Sequence, residues 1–126
     1  MSLFGSSQDQ LETDLEECWS AISEQDQLEK IIEASNEQPQ LIYKHSHRCS
    51  VCIMAKEEIE ASAGTLSKQM DLHFVNVVHQ REVSNHIASN LDIRHESPQV
   101  ILLANRKVVW HGSHWQIKSA KILQQI

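Results

Sequence analysis

Residues 40–54 read QLIYKHSHRCSVCIM, and the pattern changes from strand to helix within this stretch. It begins with a short apolar run, Gln40 to Lys44, of the kind typical of a central strand. From Val51 onward apolar residues lie among good helix formers, which predicts a helix that begins at or just after Cys49 and stops before Gly64. The segment HSHRCSVC therefore places a Cys-x-x-Cys pair at a strand-to-helix junction.

The sequence after this stretch alternates between strand and helix patterns. Runs of β-branched and aromatic residues indicate strands, and apolar residues at helical spacing indicate helices. The predicted elements are a strand at residues 72–78, a helix over 83–91, strands at 100–103 and 107–110 around a hairpin turn at 104–106, and a helix from 116.

The N-terminal part of the chain is acidic and is predicted to be helical. Ten of the 17 acidic residues lie in residues 1–37, which contain a single basic residue, Lys30. Helical spacing relates Leu11, Leu15, Cys18, Trp19 and Ile22 in a first helix, and Leu28, Ile31 and Ile32 in a second. The charges are interpreted as a solvated helical face, with Cys18 as a small buried side chain on the apolar stripe.

Length and composition bound the class of protein. A chain of 126 residues can bury one core without staples, and no apolar run is long enough to span a membrane. The start, MSLFGSSQDQ, lacks the pattern of a signal peptide, which predicts a cytoplasmic protein. Three cysteines argue against a disulfide scaffold, and the absence of a basic stripe argues against nucleic-acid binding.

Together these elements predict an α/β fold in the order α-α-β-α-β-α-β-β-α. The first strand, helix and second strand form a βαβ unit, which requires parallel strands. A Cys-x-x-Cys pair beside such a unit indicates a thioredoxin-like redox fold. We therefore expect one thioredoxin-like domain over residues 1–126, with an acidic helical extension (1–37) and a redox core (38–126) built on a mixed sheet of about four strands.

The position of Cys49 favours thiolate chemistry. Unpaired backbone N–H groups and the helix dipole stabilise negative charge at a helix N-terminus, and the thiolate is the nucleophile in disulfide exchange. Arg48 adds adjacent positive charge, as His47 does when protonated. Cys52 returns to the same face one turn later, so Cys49 is predicted as the attacking thiol and Cys52 as the resolving one.

Pro98 precedes the predicted strand at 100–103, and the Ser97–Pro98 bond can be cis because a proline lowers the free-energy cost of the cis form. In thioredoxin-like folds a cis-proline at this point faces the active cysteines and offers a backbone edge to the substrate. Ser97 and Pro98 are therefore the predicted substrate-binding residues.

Three separated segments, KHSHRCSVCIMA, HESPQVILL and KVVWHGSHWQI, resemble the monothiol bacilliredoxin-type proteins, a thioredoxin-like family tied to bacillithiol redox. The resemblance runs from about residue 19 to the end. It implies that Cys49 is the active cysteine, that Pro98 is the cis-proline, and that the protein removes bacillithiol from protein mixed disulfides. The implied partners are S-thiolated or disulfide-bonded proteins and a low-molecular-weight thiol as co-substrate, with no other cofactor, no nucleic acid and no membrane. A monomer or weak dimer is expected.

The chain departs from the family pattern at two positions. Ser50 stands where the pattern has proline, and Cys52 stands where it has serine or alanine. A site with one cysteine must pass its mixed disulfide to an external thiol, whereas a site with two can close on itself.

Two other functions fit the residues. His45, His47, Cys49 and Cys52 have the chemistry of tetrahedral zinc ligands, although their spacing is cramped and a second pair would come from His111 and His114. Alternatively, the chain is a non-catalytic thioredoxin-like binding module with an unreactive Cys49, in which the acidic N-terminal helices form a docking or dimerisation surface. The remaining histidines, His73, His79, His86 and His95, are interpreted as surface or half-buried polar groups. Trp110 and Trp115 are predicted to pack beneath the final helix.

Overall fold

The computed structural model describes residues 17–126, which fold around one mixed sheet. The strands are β1 (Ser20–Ala21), β2 (Gln40–His45), β3 (Asp71–Asn76), β4 (Gln99–Ala104) and β5 (Lys107–Ser113). Their order in the sheet is β1-β3-β2-β4-β5. β1 and β2 both pair with β3 in parallel, while β2–β4 and β4–β5 are antiparallel. The predicted α/β class with a mixed sheet is confirmed.

Helices cover both faces of the sheet. They are α1 (Asp26–Ala34), α2 (Ser50–Ala61), α3 (Ala63–Leu66), α4 (Arg81–Leu91) and α5 (Ser119–Leu123), with a 3₁₀ turn at His114–Gln116. The predicted helix after Cys49 is confirmed as α2, which ends at Ala61, before Gly64. Gly64 lies within the short α3 that follows Ser62.

Two apolar cores lie on opposite faces of β2, because side chains alternate along a strand. Leu41 and Tyr43 face the core that includes Ile59 of α2, and Ile42 faces the core that includes Ile31 of α1. The side chains of Leu41, Ile42 and Tyr43 are all fully buried. The apolar run that predicted a central strand therefore lies at the centre of the sheet.

The hairpin predicted at residues 104–106 is confirmed, with Asn105 and Arg106 at its tip. Both residues have positive φ, 51° and 67°, which is the geometry of a two-residue type I′ turn. Arg106 adopts this conformation, and its backbone N–H donates a hydrogen bond to Oγ of Ser35 at 2.8 Å. Its guanidinium also pairs with the exposed carboxylates of Glu29 and Glu33 on α1.

The first predicted helix is wrong over the part that the structure describes. Residues 18–22 form a turn and the short strand β1, and N–H of Ile22 donates to the carbonyl of Phe74 at 2.9 Å. Trp19 is buried and stacks on Tyr43 with ring centroids 5.5 Å apart. The edge of β3 and this aromatic contact stabilise an extended chain, so the sheet has five strands within residues 17–126 rather than about four. Leu11 and Leu15 lie outside the described residues.

The second predicted helix, with Leu28, Ile31 and Ile32 as its apolar face, is confirmed as α1. Among residues 17–126, no helix is long and apolar enough to cross a membrane.

Candidate active site

Cys49 lies at the carboxyl edge of the sheet, between β2 and α2. It is the N-cap residue of α2, with an extended backbone (φ −117°, ψ 120°). Its N–H donates to the carbonyl of Ser46 at 3.2 Å, which closes the turn that follows the strand. Its sulfur accepts a hydrogen bond from the N–H of Cys52 at 3.3 Å. The Cys49 sulfur therefore takes the place of the oxygen of a serine or aspartate cap.

The thiolate of Cys49 is favoured by hydrogen bonds at the helix start. Desolvation raises the pKa of Cys49, but hydrogen bonds from the side chain of Cys52 and from the N–H groups of Cys52 and Val51 outweigh it and lower that pKa. The side chain is half-buried, so a substrate sulfur has access to it. These are the conditions for a nucleophilic thiol.

Cys52 lies beneath Cys49 and is completely buried. Burial raises the pKa of Cys52, while hydrogen bonds from Ser97 and the backbone of Ser46 act in the opposite direction. Its sulfur lies 3.4 Å from Oγ of Ser97. The structure thus brings Cys49, Cys52 and Ser97 together, and their catalytic and substrate-binding roles stay predictions.

The Ser97–Pro98 peptide bond is cis, as predicted. The carbonyl of Pro98 accepts a hydrogen bond from N–H of His114 at 3.2 Å, and His114 has a left-handed backbone with φ 52°. The hydroxyl of Ser113 donates to Glu96 at 2.6 Å and lowers the pKa of that carboxyl. The segment at 113–114 is thereby fastened to the proline loop.

The two predicted pKa-modulating residues have different surroundings. His47 stacks on His79, with ring centroids 5.4 Å apart and an interplanar angle of 11°. Arg48 is exposed, and its backbone N–H donates to Oγ of Ser46 at 3.3 Å. Their effect on the Cys49 thiolate stays a prediction.

Tyr43 and His45 also belong to the site, although no sequence motif predicted a redox role for either residue. The Tyr43 hydroxyl donates to the carbonyl of Cys52 at 2.8 Å and lies 3.0 Å from Nδ1 of His45. Desolvation, with help from Lys56 and His47, lowers the pKa of His45 to about 4. The alternation of side chains along β2 was the available signal, since it directs Leu41, Tyr43 and His45 to the same face.

The zinc alternative gains no support from this arrangement. Within residues 17–126, no group of three or more His, Cys, Asp or Glu side chains is placed to hold a metal ion. His45 is buried and bonded to Tyr43, while His111 and His114 are exposed.

The histidines outside the active turn include two in polar contacts. Nε2 of His73 lies 2.7 Å from Oε1 of Gln40, and Nδ1 of His95 lies 3.2 Å from Nζ of Lys44. Burial lowers the pKa of both histidines.

Only one of the two late tryptophans packs as predicted. Trp110 lies partly buried against the core that contains Tyr43. Trp115 is 63% exposed, and the prediction that it packs beneath the final helix is wrong because the 3₁₀ turn directs it outward. It borders a groove of about 340 Å³ between α2 and the 3₁₀ turn, lined also by Val51, Met54 and His114. Met54 is 55% exposed, so this groove has an apolar rim near the active turn.

Comparisons with known proteins agree with the geometry. The family model described as monothiol bacilliredoxin BrxC matches residues 20–122. A solved structure, named as a candidate oxidoreductase with a thioredoxin fold, is 27% identical, covers 86% of this chain and 93% of its own, and has a TM-score of 0.75. Thioredoxin from Fasciola hepatica is 18% identical over 84% of this chain and 94% of its own, with a TM-score of 0.65. Thioredoxin from Trypanosoma brucei brucei is 15% identical over 84% and 85%, with a TM-score of 0.66. The thioredoxin-like fold predicted from the sequence is confirmed.

Proposed function

This chain belongs to the monothiol bacilliredoxin family, and we propose that it is a thiol-disulfide oxidoreductase that reduces mixed disulfides through Cys49. The family and the thioredoxin fold support a role in thiol redox chemistry. The observation that carries the proposal is the half-buried Cys49 sulfur at the start of α2, where it accepts the N–H of Cys52 at 3.3 Å.

In the first step the Cys49 thiolate attacks one sulfur of a protein mixed disulfide. A disulfide forms between Cys49 and that sulfur, the original disulfide bond breaks, and the departing thiolate takes up a proton. Hydrogen bonds at the helix start favour the thiolate of Cys49, which is the nucleophile of this step.

In the second step Cys52 resolves the adduct. Its thiol loses a proton, its sulfur attacks Sγ of Cys49, and the bound thiol leaves reduced. An external dithiol or two external thiols then return the Cys49–Cys52 disulfide to the reduced state. Ser97 supports this role of Cys52, because its hydroxyl lies 3.4 Å from the Cys52 sulfur and acts to lower the Cys52 pKa.

The proposed co-substrate is a low-molecular-weight thiol, bacillithiol by family, and no other cofactor is required. The proposed protein partners are S-thiolated or disulfide-bonded proteins of the cytoplasm. The exposed side chains of Met54 and Trp115 support such partners, since they give a polypeptide apolar contacts near Cys49. Ser97 and Pro98 are proposed to offer the backbone edge to which the substrate chain binds.

A trapping experiment tests which cysteine attacks. Cys52→Ser protein is mixed with an excess of bacillithiol disulfide, and the adduct is located by mass spectrometry of proteolytic fragments. We expect one bacillithiol on Cys49 and none on Cys18. Cys49→Ser serves as the matched control, and any adduct on it should form much more slowly than the adduct on Cys52→Ser protein. Equal labelling of Cys18 and Cys49, or an adduct confined to another residue, would contradict the proposal.

A further inference from the structure

A chain of two hydrogen bonds runs beneath the active turn, on the face of β2 that points to α2. Tyr43 is fully buried, and its hydroxyl lies 2.8 Å from the carbonyl oxygen of Cys52. The same hydroxyl lies 3.0 Å from Nδ1 of His45, which is also buried. The chain ends on the backbone of the proposed resolving cysteine.

The chemistry of these groups fixes the direction of both bonds. A carbonyl oxygen only accepts, so the single proton of the Tyr43 hydroxyl is donated to Cys52. Nδ1 of His45 must then carry a proton and donate it to the Tyr43 oxygen. Burial lowers the pKa of His45 to about 4, so the ring is neutral near pH 7 with its one proton on Nδ1.

The ring of Tyr43 is held by its neighbours as well as by its hydroxyl. Trp19 stacks on it at 5.5 Å with an interplanar angle of 27°, and Phe74 packs at 5.8 Å. Aromatic contacts of this kind restrict the side chain to one position. The hydroxyl is therefore a rigid support that rises from the central strand to the first turn of α2.

We propose that Tyr43, oriented by His45, is a positioning residue that holds the Cys52 backbone in the geometry needed for the resolving step. This inference rests on the proposed function, because it assigns Tyr43 a role only in a site where Cys52 attacks. Tyr43 itself takes part in no bond exchange. In the step it assists, the Cys52 sulfur forms a bond to Sγ of Cys49, the Cys49 bond to the bound thiol breaks, and the Cys52 proton is balanced by protonation of the departing thiolate.

The two steps of the reaction should respond differently to loss of the hydroxyl. The first step uses Cys49, whose sulfur is held by N–H groups of Cys52 and Val51 at the helix start. The second step requires the Cys52 sulfur to reach Cys49, and its backbone loses the Tyr43 bond in a Tyr43→Phe variant. A net hydrogen bond contributes about 1 kcal/mol, which corresponds to about a fivefold change in rate.

A quenched time course followed by mass spectrometry separates the two steps. Wild type and Tyr43→Phe are each mixed with excess bacillithiol disulfide and quenched at successive times. We expect the formation rate of the Cys49 adduct to change by less than about twofold and its conversion to the Cys49–Cys52 disulfide to slow about fivefold. Thermal unfolding of both proteins shows whether any slower step is accompanied by loss of the fold.

A matched pair at position 45 tests the same chain without changing Tyr43. The side-chain N–H₂ of Asn is bonded to Cγ, as Nδ1 of histidine is, and it can donate a hydrogen bond in the same place. Leu is similar in size to Asn and has no donor. Both variants lose the ring contact with Phe74, which is 5.3 Å between centroids in the wild type. His45→Asn is expected to close the disulfide faster than His45→Leu, with the two adduct-formation rates equal.

The outcomes distinguish failure of this inference from failure of the proposed function. If wild type forms the Cys49–Cys52 disulfide and Tyr43→Phe closes it at the same rate, the positioning role is overturned while the proposed function stands. If wild type forms an adduct that never closes, Cys52 is not a resolving thiol and both proposals for it are overturned. Slower closure in Tyr43→Phe and His45→Leu, with unchanged adduct formation, supports the positioning role.

Discussion

Cys49 and Cys52 lie three residues apart, yet their sulfur atoms meet different surroundings. At Cys49 hydrogen bonds outweigh desolvation and lower the pKa, whereas at Cys52 burial prevails and raises it. The difference follows from the helix start, where N–H groups point toward the cap residue and away from the first turn. The site therefore presents to solvent the sulfur whose thiolate is favoured, and it buries beneath it the sulfur whose thiol is favoured.

The lowered pKa predicts how alkylation of Cys49 depends on pH. Below the pKa the thiol form dominates and reacts slowly, so a lowered pKa moves the rise in rate to lower pH. We expect the midpoint for Cys49 with iodoacetamide, followed by mass spectrometry from pH 5 to 10, to lie below that of free cysteine. Cys18, followed in the same samples, controls for general access of the reagent. A Cys49 midpoint at or above that of free cysteine would show that the helix start does not activate this thiol.

Ser97 is expected to act on the second cysteine. Its hydroxyl lies 3.4 Å from the Cys52 sulfur, and this hydrogen bond lowers the Cys52 pKa against the effect of burial. Ser97→Ala should raise the Cys52 pKa further and slow closure of the Cys49–Cys52 disulfide about tenfold or more at pH 7, since a bond to a charged group contributes about 1.5–3 kcal/mol and about 1.4 kcal/mol corresponds to tenfold in rate. Ser97→Thr, which keeps a hydroxyl, is the control. Equal closure rates in Ser97→Ala and wild type would remove Ser97 from the site.

At the scale of elements, the segment before α1 joins the sheet through β1 and the core through Trp19. Trp19 is 7% exposed, contacts Tyr43 and Phe74, and donates its indole N–H to Glu60 at 2.7 Å. Trp19→Ala should lower the free energy of unfolding by about 3–5 kcal/mol, because it leaves a cavity beside the central strand.

Denaturant unfolding of Trp19→Ala measures this loss, with Ser20→Ala as the control. The Ser20 side chain is exposed on the edge strand, so its removal should change the free energy of unfolding by less than about 0.5 kcal/mol. A loss below about 1 kcal/mol in Trp19→Ala would mean that the N-terminal segment contributes little to the fold.

The same segment shows where sequence reasoning reached its limit. β2, α2 and the hairpin were predicted because each carries a repeated local pattern of side chains. β1 has only two residues, and its conformation depends on backbone bonds to β3, a partner more than 50 residues away. The apolar spacing of Cys18, Trp19 and Ile22 fits a helix equally well, so no local rule selects the strand.

For the whole molecule, the buried Lys44 connects three parts of the fold. Its Nζ, on β2, donates to the carbonyl of Ser84 on α4 at 3.0 Å and lies 3.2 Å from Nδ1 of His95, shortly before Pro98. Burial lowers the pKa of Lys44 to about 8 from 10.5. The unfolded chain therefore binds more protons than the folded one between about pH 8 and 10.5.

This linkage predicts that Lys44 makes the protein more stable as pH rises through that window. Below about pH 8 both states are protonated and the penalty of burying the charge is constant. The free energy of unfolding of wild type minus that of Lys44→Met should therefore increase from pH 8 to 10.5, since other groups titrate in both proteins and cancel. Urea unfolding at several pH values measures the difference. A flat difference would show that the buried amine keeps its ordinary pKa, and a falling difference would show that its pKa is raised; either result contradicts the prediction.

The candidate site was predictable only where its parts are neighbours in sequence or carry a known motif. Cys49, Cys52 and Pro98 were found because the Cys-x-x-Cys pair and the Ser-Pro dipeptide are visible as letters. The bond from Tyr43 to Cys52 was not predicted, since it depends on how α2 packs on the sheet. Trp115 was placed wrongly for a related reason, because its exposure depends on the 3₁₀ turn at His114–Gln116, which no repeated local pattern marks.

In the proposed mechanism Cys49 attacks the substrate disulfide, and Cys52 then attacks Sγ of Cys49 to release the bound thiol. The most direct measurement is mass spectrometry of the reduced wild-type protein at successive times after mixing with bacillithiol disulfide. We expect a transient adduct of one bacillithiol on Cys49, followed by its loss and the appearance of a Cys49–Cys52 disulfide. An adduct on Cys49 that persists while Cys52 stays a thiol would contradict the account and assign the protein a one-cysteine mechanism.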